Sequence, residues 1–445
     1  MPSLPVSDSN RNELFATLSK LRYIVNESVK PDIFHLTEII EATMSDQTPE
    51  QDRDFGQRLT SLVVGIDRLE RRVNRGAGPL DDEGLIPIYL GGDLVPKMPL
   101  ESWETVFTHL DDLEREASTY SPGPRRTYLL AMTDSLRAVA QLFTGIELSF
   151  AEKLERLVGV PAAPVAPEQL KAMRTNLSAL LEASGYRQGS LAERVTRWEG
   201  ERFLKSDKIE PTFEALMLEA QRRTDAMIFP TGDYQMRLNL VRGVPYTARC
   251  NFDQGLMDLN ADLEFTPSAL KHLVAHEVFP GHSTQLLYTL ERAKSGEGTP
   301  DVLLCTANTV VGAIQEGIGD QGIHLIDWVT SEDDAIFMAL RRLRSAAATS
   351  AAWYQMGEGW SLVRVRTFLQ ETAFPQPVWL EGRLRFAAHP FRGPFIASYW
   401  YGDEAVREVR ERAASEQRSE FIKYLYGQMH SLSSLKMFGL GMFGV

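Results

Sequence analysis

The segment HEVFPGH, residues 276–282, contains the residue types of a zinc-binding helix in an altered order. Zinc hydrolases commonly place two histidines four residues apart on one helical face, with a glutamate directly after the first as general base. His276 and Glu277 supply the first half of this arrangement, but position 280 is proline. The next histidine, His282, follows His276 by six residues, which puts it off the same face of a straight helix.

Pro280 and Gly281 predict that the helix bulges or breaks between the two histidines. Proline lacks an N–H and its ring crowds the carbonyl four residues earlier, while glycine tolerates backbone angles that other residues avoid. A break would allow His282 to turn back toward a metal held by His276. The alternative pair is His272 and His276, four residues apart in an unbroken helix that Pro-Gly then ends. Spacing alone leaves both pairs open.

The same motif, together with Gln285 and Glu316-Gly317, resembles the signature His-Glu-x-x-Pro-Gly-His of the bacterial domain of unknown function 885 family. That family is similar in fold to thermostable carboxypeptidase Taq, thimet oligopeptidase and neurolysin, which are helical zinc peptidases of the gluzincin class with a deep cleft. The resemblance covers, at the level of motifs, roughly the half of the chain after residue 160. It favours His282 over His272 as the second ligand.

Two departures from the family and one further motif complete the predicted metal site. Ser283 stands where the family often has another histidine, and Ile318 stands where tryptophan is common. The candidate third ligand is Glu316 in the segment AIQEGIGDQG, and Asp320 follows it by one helical turn. The resemblance implies that this aspartate orients a ligating histidine. Independently, two carboxylates at i and i+4 repel unless a cation or a donor lies between them.

The stretch HPFRGPFIASYWYG, residues 389–402, offers donors for the oxyanion that forms when water attacks a carbonyl. Tyr399 resembles the tyrosine of a Tyr-x-x-Gly motif in the related peptidases and is the predicted donor. Tyr401 and His389 are the reserve candidates for this role, and both are also candidates for contacts with substrate. Arg392 is a candidate for binding the carboxylate of a substrate C-terminus through its planar fork. For each of these residues, packing in an aromatic core or an ordinary surface position is the alternative.

The elements that would position these residues are mainly helical. The Pro/Ala-rich segment at 159–169 cannot continue a helix, so it marks a predicted boundary between an N-terminal helical lobe, 1–160, and a catalytic lobe, 161–445. We expect the two to form one continuous unit. Apolar residues recur at helical spacing in three stripes: Leu14, Leu18, Leu21 and Val25; Leu62, Ile66, Leu69 and Val73; Met132, Leu136, Val139 and Phe143.

One segment departs from the helical pattern. In YTARCNFDQGLMDLNAD, two β-compatible runs flank the turn signal DQG, which predicts a β-hairpin just before the motif helix. Thr266 and Pro267 are a favourable cap and first-turn pair for that helix. The expected fold is therefore a mainly α, two-lobed metallopeptidase-like fold with a deep cleft and a small hairpin or sheet beside the active-site helix.

Composition limits the class of protein. The chain of 445 residues carries a formal charge of −13, which would repel a phosphate backbone and argues against nucleic-acid binding. Its beginning shows no secretory signal and no run is long enough to span a membrane, so we expect a cytoplasmic protein that binds no membrane. Two cysteines, Cys250 and Cys305, are too few for a disulfide framework or a thiolate zinc cluster. A homodimer is compatible with the sequence.

The leading hypothesis is a zinc-dependent peptidase that acts on short peptides as a carboxypeptidase or oligopeptidase. Zn²⁺ would be held by His276, His282 and Glu316, with Glu277 as general base and Tyr399 as oxyanion donor. Carboxypeptidase action is implied by the resemblance alone. Two alternatives remain open: a zinc hydrolase of a non-peptide amide or ester, and a non-catalytic helical scaffold with a degenerate metal site.

Overall fold

The structure is a computed structural model that describes residues 49–74, 80, 84–306 and 308–440. Helices form most of it. The prediction of a mainly α protein is confirmed. The α-helices are α1 (Glu50–Asn74), α2 (Trp103–Ala117), α3 (Pro124–Phe143), α4 (Phe150–Glu152), α5 (Pro167–Ala183), α6 (Leu191–Gly200), α7 (Ser206–Met227), α8 (Pro267–Glu277), α9 (His282–Ser295), α10 (Gly312–Leu325), α11 (Glu332–Ala352), α12 (Leu362–Ala373), α13 (Pro377–Ala387), α14 (Ile396–Arg412), α15 (Arg418–Gly427) and α16 (Leu432–Leu435). Within the described residues, no helix combines the length and the apolar character needed to cross a membrane.

The predicted apolar stripes of α1 and α3 form part of the largest core. Leu62, Ile66 and Leu69 are buried in α1, whereas Val73, in the last turn, is 52% exposed and does not belong to the stripe. All four predicted stripe residues of α3 are buried. The first stripe, residues 14–25, lies outside the described residues.

The core of α1 and α3 also contains side chains from far along the chain. Val310, Ala313 and Phe391 pack in the same cluster as the α1 and α3 residues. Residues from Glu50 onward form one compact unit. Side chains from both sides of residue 160 thus share a core, and the division into lobes at that position stays a prediction.

A small sheet lies next to the motif helix in the chain. Strands β3 (Ala248–Asn251) and β4 (Leu256–Asn260) are antiparallel, with Cys250 opposite Met257, so the predicted hairpin is confirmed. Strand β2 (Arg237–Val241) adds a parallel partner to β4, in the order β2-β4-β3, and was missed. Its sequence RLNLV alternates polar and apolar residues, which is a strand signal. Two short strands, β1 (Ile88–Tyr89) and β5 (Leu304–Cys305), pair separately.

The motif helix α8 begins and ends as the sequence predicted. The hydroxyl oxygen of Thr266 accepts a hydrogen bond from the Ala269 N–H at 3.1 Å, and Pro267 occupies the first turn. The helix ends at Glu277, and α9 begins at His282. The break is enforced at Gly281, because a Cβ atom there would lie 1.7 Å from the His276 carbonyl oxygen. Only glycine allows the chain to double back this closely.

Candidate metal centre

Three side chains from three helices converge on one point. Nε2 of His276 lies 3.2 Å from Oε2 of Glu316, and Nε2 of His282 lies 3.8 Å from the same oxygen. One ligand atom from each residue lies within 4.8 Å of those of the other two. The imidazole rings of the two histidines stand nearly perpendicular, with centroids 4.8 Å apart. The break after Glu277 therefore brings His282, the first residue of α9, back to His276.

Close approach of α10 to its neighbours positions Glu316. A Cβ atom at Gly319 would lie 2.8 Å from Nδ1 of His276, so this glycine lets α10 contact the imidazole directly. On another side of α10, a Cβ at Gly317 would lie 2.3 Å from the carbonyl oxygen of Gly402 in α14. Small residues at both crossings hold Glu316 between the motif helix and the helix that carries Tyr399.

The donor set fits a divalent cation of the zinc type. Tetrahedral Zn²⁺ with nitrogen and oxygen ligands at about 2.0–2.2 Å separates its ligand atoms by about 3.4 Å, close to the separations between Glu316 and the two imidazoles. Oε2 of Glu316 is buried and accepts no hydrogen bond within the described part of the chain. Nδ1 of His276 donates to Asp320, and its Nε2 lies 3.2 Å from that Glu316 oxygen, so a cation bound between them would take the place of the proton on Nε2. The buried carboxylate oxygen would then gain a positively charged partner.

A second histidine and carboxylate group overlaps the first. His272, His276 and Asp320 also bring ligand atoms within 4.8 Å of one another. Oδ1 of Asp320 lies 2.9 Å from Nδ1 of His276 and 3.6 Å from Nε2 of His272. The guanidinium of Arg341 lies 2.6 Å from the same oxygen, so a positive charge already occupies this position. The second group is therefore a hydrogen-bonded ion-pair cluster, and His272 belongs to it.

The pKa values of the two imidazoles in the first group are shifted in opposite directions. Burial tends to lower the pKa of His276, but its contacts with the Asp320 and Glu316 carboxylates outweigh burial and raise that pKa well above 6.5. Burial lowers the pKa of His282 to about 4, and the nearest carboxylate, Glu316 at 3.8 Å, does not offset this effect. His282 therefore presents a neutral imidazole, the form that binds metals, at neutral pH.

Glu277 follows His276 in the chain and lines the same cavity as the three candidate ligands. Burial, and repulsion from Glu316, raise the pKa of its carboxyl to about 7, while His276 and the backbone amide of Cys250 oppose the rise. A carboxyl group with a pKa near neutrality is matched to accepting and returning a proton. A bound cation would lower this pKa again.

A cavity of about 1210 Å³ gives access to these residues. Its wall includes all three candidate ligands, Glu277 and Tyr399, together with residues of strand β3. Strand β3 is an edge of its sheet. Tyr399 is half-buried, and burial together with the Glu316 carboxylate raises the pKa of its hydroxyl, which therefore stays protonated.

The other predicted substrate residues lie in different surroundings. His389 and Arg392 line the cavity, where Nδ1 of His389 accepts hydrogen bonds from the backbone amides of Phe391 and Arg392. The Arg392 guanidinium donates to the carbonyl oxygen of Gly84 at 3.0 Å. Tyr401 turns elsewhere, since its hydroxyl donates to the carbonyl oxygen of Ala163 and its ring packs in the core.

The charged network around Asp320 was not predicted from the sequence. Arg341 of α11 also contacts Asp403 of α14, at 2.9 Å, and Asp403 accepts a hydrogen bond from Gln321 at 2.6 Å. Although burial alone would raise it, the pKa of Asp320 is held well below its usual range by Arg341 and the two imidazoles. The sequence did contain a signal that Arg341 is buried. This arginine lies between Leu340 and Leu343 in an Ala-rich helix that has one largely buried face.

Comparison with known proteins gives a fold but no family. No protein-family model matches the chain, and no curated protein matches it. Among solved structures, it is similar to the "putative lipoprotein" from Colwellia psychrerythraea, with a TM-score of 0.53 and 11% identity over 74% of this chain. The chain spans 65% of the length of that protein. A "putative lipoprotein of unknown function" from Shewanella oneidensis gives a TM-score of 0.47 and 15% identity, covering 76% of this chain and 71% of that protein.

The predicted relationship to the domain of unknown function 885 family and the gluzincin peptidases is wrong. No family model and no curated protein supports it, and the structure with a TM-score of 0.53 is described as a "putative lipoprotein". The resemblance rested on a seven-residue motif and a few isolated positions, which carry too little information to establish common descent. Chemistry for this chain must therefore be argued from its own side chains.

Proposed function

We propose that this protein is a zinc-dependent hydrolase that cleaves peptide bonds of short peptides. The convergence of two imidazole nitrogens and one buried carboxylate oxygen, in a cavity that Glu277 also lines, carries this proposal. Three protein ligands that leave one position open are typical of catalytic zinc, whereas structural zinc is closed by four. The metallopeptidase-like lobes and cleft expected from the sequence are part of the proposal.

The roles of the residues follow from their surroundings. His276, His282 and Glu316 would hold the ion, and Asp320 would fix the His276 tautomer by accepting from Nδ1. A bound Zn²⁺ ion supplies Lewis acidity, which makes water acidic enough to be deprotonated near neutral pH. Glu277 would accept that proton and pass it to the leaving amine.

Two further features support a peptide as substrate. The protonated hydroxyl of Tyr399 would donate to the oxyanion that develops on the attacked carbonyl. Strand β3 contributes Ala248, Cys250 and Asn251 to the cavity wall. An extended peptide could hydrogen-bond to such an edge strand, which would set its register against Glu277.

Metal analysis and a substrate panel test the proposal together. Purified protein that is incubated with Zn²⁺ and then desalted is expected to retain about one zinc per chain. The zinc-loaded protein is expected to hydrolyse short peptides faster than small esters or non-peptide amides. Faster cleavage of the esters or amides would instead favour the second hypothesis, a zinc hydrolase of a non-peptide amide or ester. Absence of retained zinc would support the scaffold hypothesis, in which the buried polar network is structural.

The cytoplasm is the proposed location, because both cysteines are free thiols, as in a reducing compartment. The "putative lipoprotein" with a similar fold suggests a membrane-anchored or exported setting as the competing location. Fractionation of the native host with an antibody against this chain separates the two.

A further inference from the structure

Arginines and carboxylates line the cavity in equal number, but two of the arginines have no acidic partner among the described residues. Six arginines line the cavity. Most have defined partners: Arg341 contacts Asp320 and Asp403, Arg344 holds Glu199 with two contacts of 2.9 Å, Arg249 contacts Asp258 at 3.1 Å, and Arg392 donates to Gly84. Arg383 and Arg385, both on α13, form no ion pair or hydrogen bond with any residue that the structure describes.

Arg383 differs from Arg385 in its surroundings. Arg385 is exposed and well hydrated, whereas Arg383 is half-buried. The guanidinium carbon of Arg383 lies 5.3 Å from the ring centroid of Tyr399 and 5.2 Å from that of Trp379. The two rings orient a planar group whose N–H donors have no acceptor among the described residues.

An oriented but unpaired cation in a concave site favours an anionic ligand. Partial burial removes some of the water that would solvate the guanidinium, and aromatic contacts do not replace its hydrogen bonds. Guanidinium groups bind carboxylates through two parallel hydrogen bonds, so a carboxylate is the matching group. Arg383 also contacts the ring whose hydroxyl lies in the field of Glu316 and Glu277. A ligand held by Arg383 would therefore lie close to the proposed reaction centre.

We infer that Arg383 binds a carboxylate of the substrate next to the bond that is cleaved. This inference rests on the proposed function and narrows its substrate class to peptides with an anionic group beside the scissile bond. The carboxylate has two possible sources, the free C-terminus of a peptide or an acidic side chain. Arg383 takes the role that the sequence suggested for Arg392, whose guanidinium donates to Gly84.

Equilibrium binding tests this inference without turnover. The Glu277→Gln protein is titrated with N-acetyl-dialanine and with its C-terminal amide, and in parallel with an acetylated Ala-Glu amide and its Ala-Gln amide counterpart. A charged hydrogen-bonded contact of this kind corresponds to about 10- to 100-fold tighter binding of one carboxylate ligand than of its neutral partner. The pair that shows the preference identifies the source of the carboxylate.

Variants on α13 provide the matched comparison. Arg383→Met is expected to reduce the carboxylate preference to near unity, Arg383→Lys to retain part of it, and Arg385→Met to retain all of it. Tyr399→Phe keeps Arg383 and the ring that it contacts and removes only the hydroxyl, so it is expected to keep the preference. Equal binding of charged and neutral ligands by the parent protein, or an unchanged preference in Arg383→Met, would overturn the inference.

Zinc content of the same samples keeps this inference distinguishable from the proposed function. The titrations are run with and without zinc, because a carboxylate can also bind the metal directly. A preference that depends on Arg383 in both states supports the inference. A preference that appears only with zinc and survives Arg383→Met contradicts it while leaving the zinc site intact. Failure to retain zinc contradicts the proposed function, and the metal-free titration still decides the role of Arg383.

Discussion

Two groups of histidine and carboxylate side chains share His276, and they differ because an arginine contacts the carboxylate of only one of them. On the Nε2 side of the ring, His282 and Glu316 face a point at which the structure describes no protein cation. On the Nδ1 side, Asp320 receives the ring N–H and the guanidinium of Arg341. Under the proposed function, one of two similar donor sets binds a metal and the other forms an ion-pair cluster, according to whether the protein supplies the positive charge.

The comparison also explains how one helix carries two carboxylates one turn apart. Glu316 and Asp320 would repel each other across the i, i+4 spacing. His276 lies between them, contacting Asp320 at 2.9 Å and Glu316 at 3.2 Å. Asp320 is further stabilised by Arg341, which in turn is held by Asp403. This buried network fixes the ring, and the fixed ring presents Nε2 to the proposed ion.

The largest expected effect is removal of a ligand on the Nε2 side. His282→Ala leaves two ligands and is expected to reduce retained zinc from about one per chain to almost none, with loss of all hydrolysis. Metal analysis after desalting measures the first effect, and a peptide assay measures the second. Chelation should lower the melting temperature of the wild type but not of this variant. Full zinc retention by His282→Ala would show that the ion, if present, binds elsewhere.

A large effect on rate alone is expected at Glu277. Glu277→Gln keeps the shape of the side chain but cannot accept a proton, so kcat should fall by about 10²–10⁴-fold while zinc content is unchanged. Steady-state kinetics on zinc-loaded protein, with metal content determined on the same sample, provides the measurement. Wild-type activity in this variant would remove Glu277 from the mechanism.

An intermediate effect is expected on the Nδ1 side. Asp320→Asn preserves shape but weakens the acceptor for the His276 N–H, and such changes lower metal affinity by about 10- to 100-fold. Competition with a zinc-binding dye gives the affinity. A zinc affinity equal to that of the wild type would mean that Asp320 stabilises the fold and does not contribute to metal binding.

The smallest effect is expected at His272. His272→Gln removes the imidazole that lies 3.6 Å from Asp320 but leaves all three proposed ligands and the Asp320–His276 hydrogen bond. Its effect on zinc affinity should be smaller than that of Asp320→Asn in the same dye competition. A loss as large as that of His282→Ala would reverse the assignment of the two groups.

Local sequence signals predicted the parts of the site that depend on backbone chemistry. Pro280 and Gly281 predicted the break before His282, and Thr266 predicted the start of the motif helix. The hairpin followed from two β-compatible runs around a turn. The choice between His272 and His282 could not be made from spacing, because it depends on the guanidinium of Arg341, which is distant in sequence from both histidines.

Long-range placement accounts for what remained unpredicted. Trp379 and Arg383 are four residues apart on α13, but Tyr399 of α14 reaches Arg383 only through the tertiary fold, and no spacing rule relates it to them. The family resemblance was wrong for a related reason, since a short motif reports local geometry but not descent. The fold class was accessible because helical periodicity is repeated in many segments.

Anomalous diffraction at the zinc absorption edge, on crystals of the zinc-loaded protein, would locate the ion. One strong peak is expected within about 2.0–2.2 Å of Nε2 of His276, Nε2 of His282 and a carboxylate oxygen of Glu316. A peak between His272 and Asp320, or no peak at this crossing of helices, would contradict the proposed zinc site.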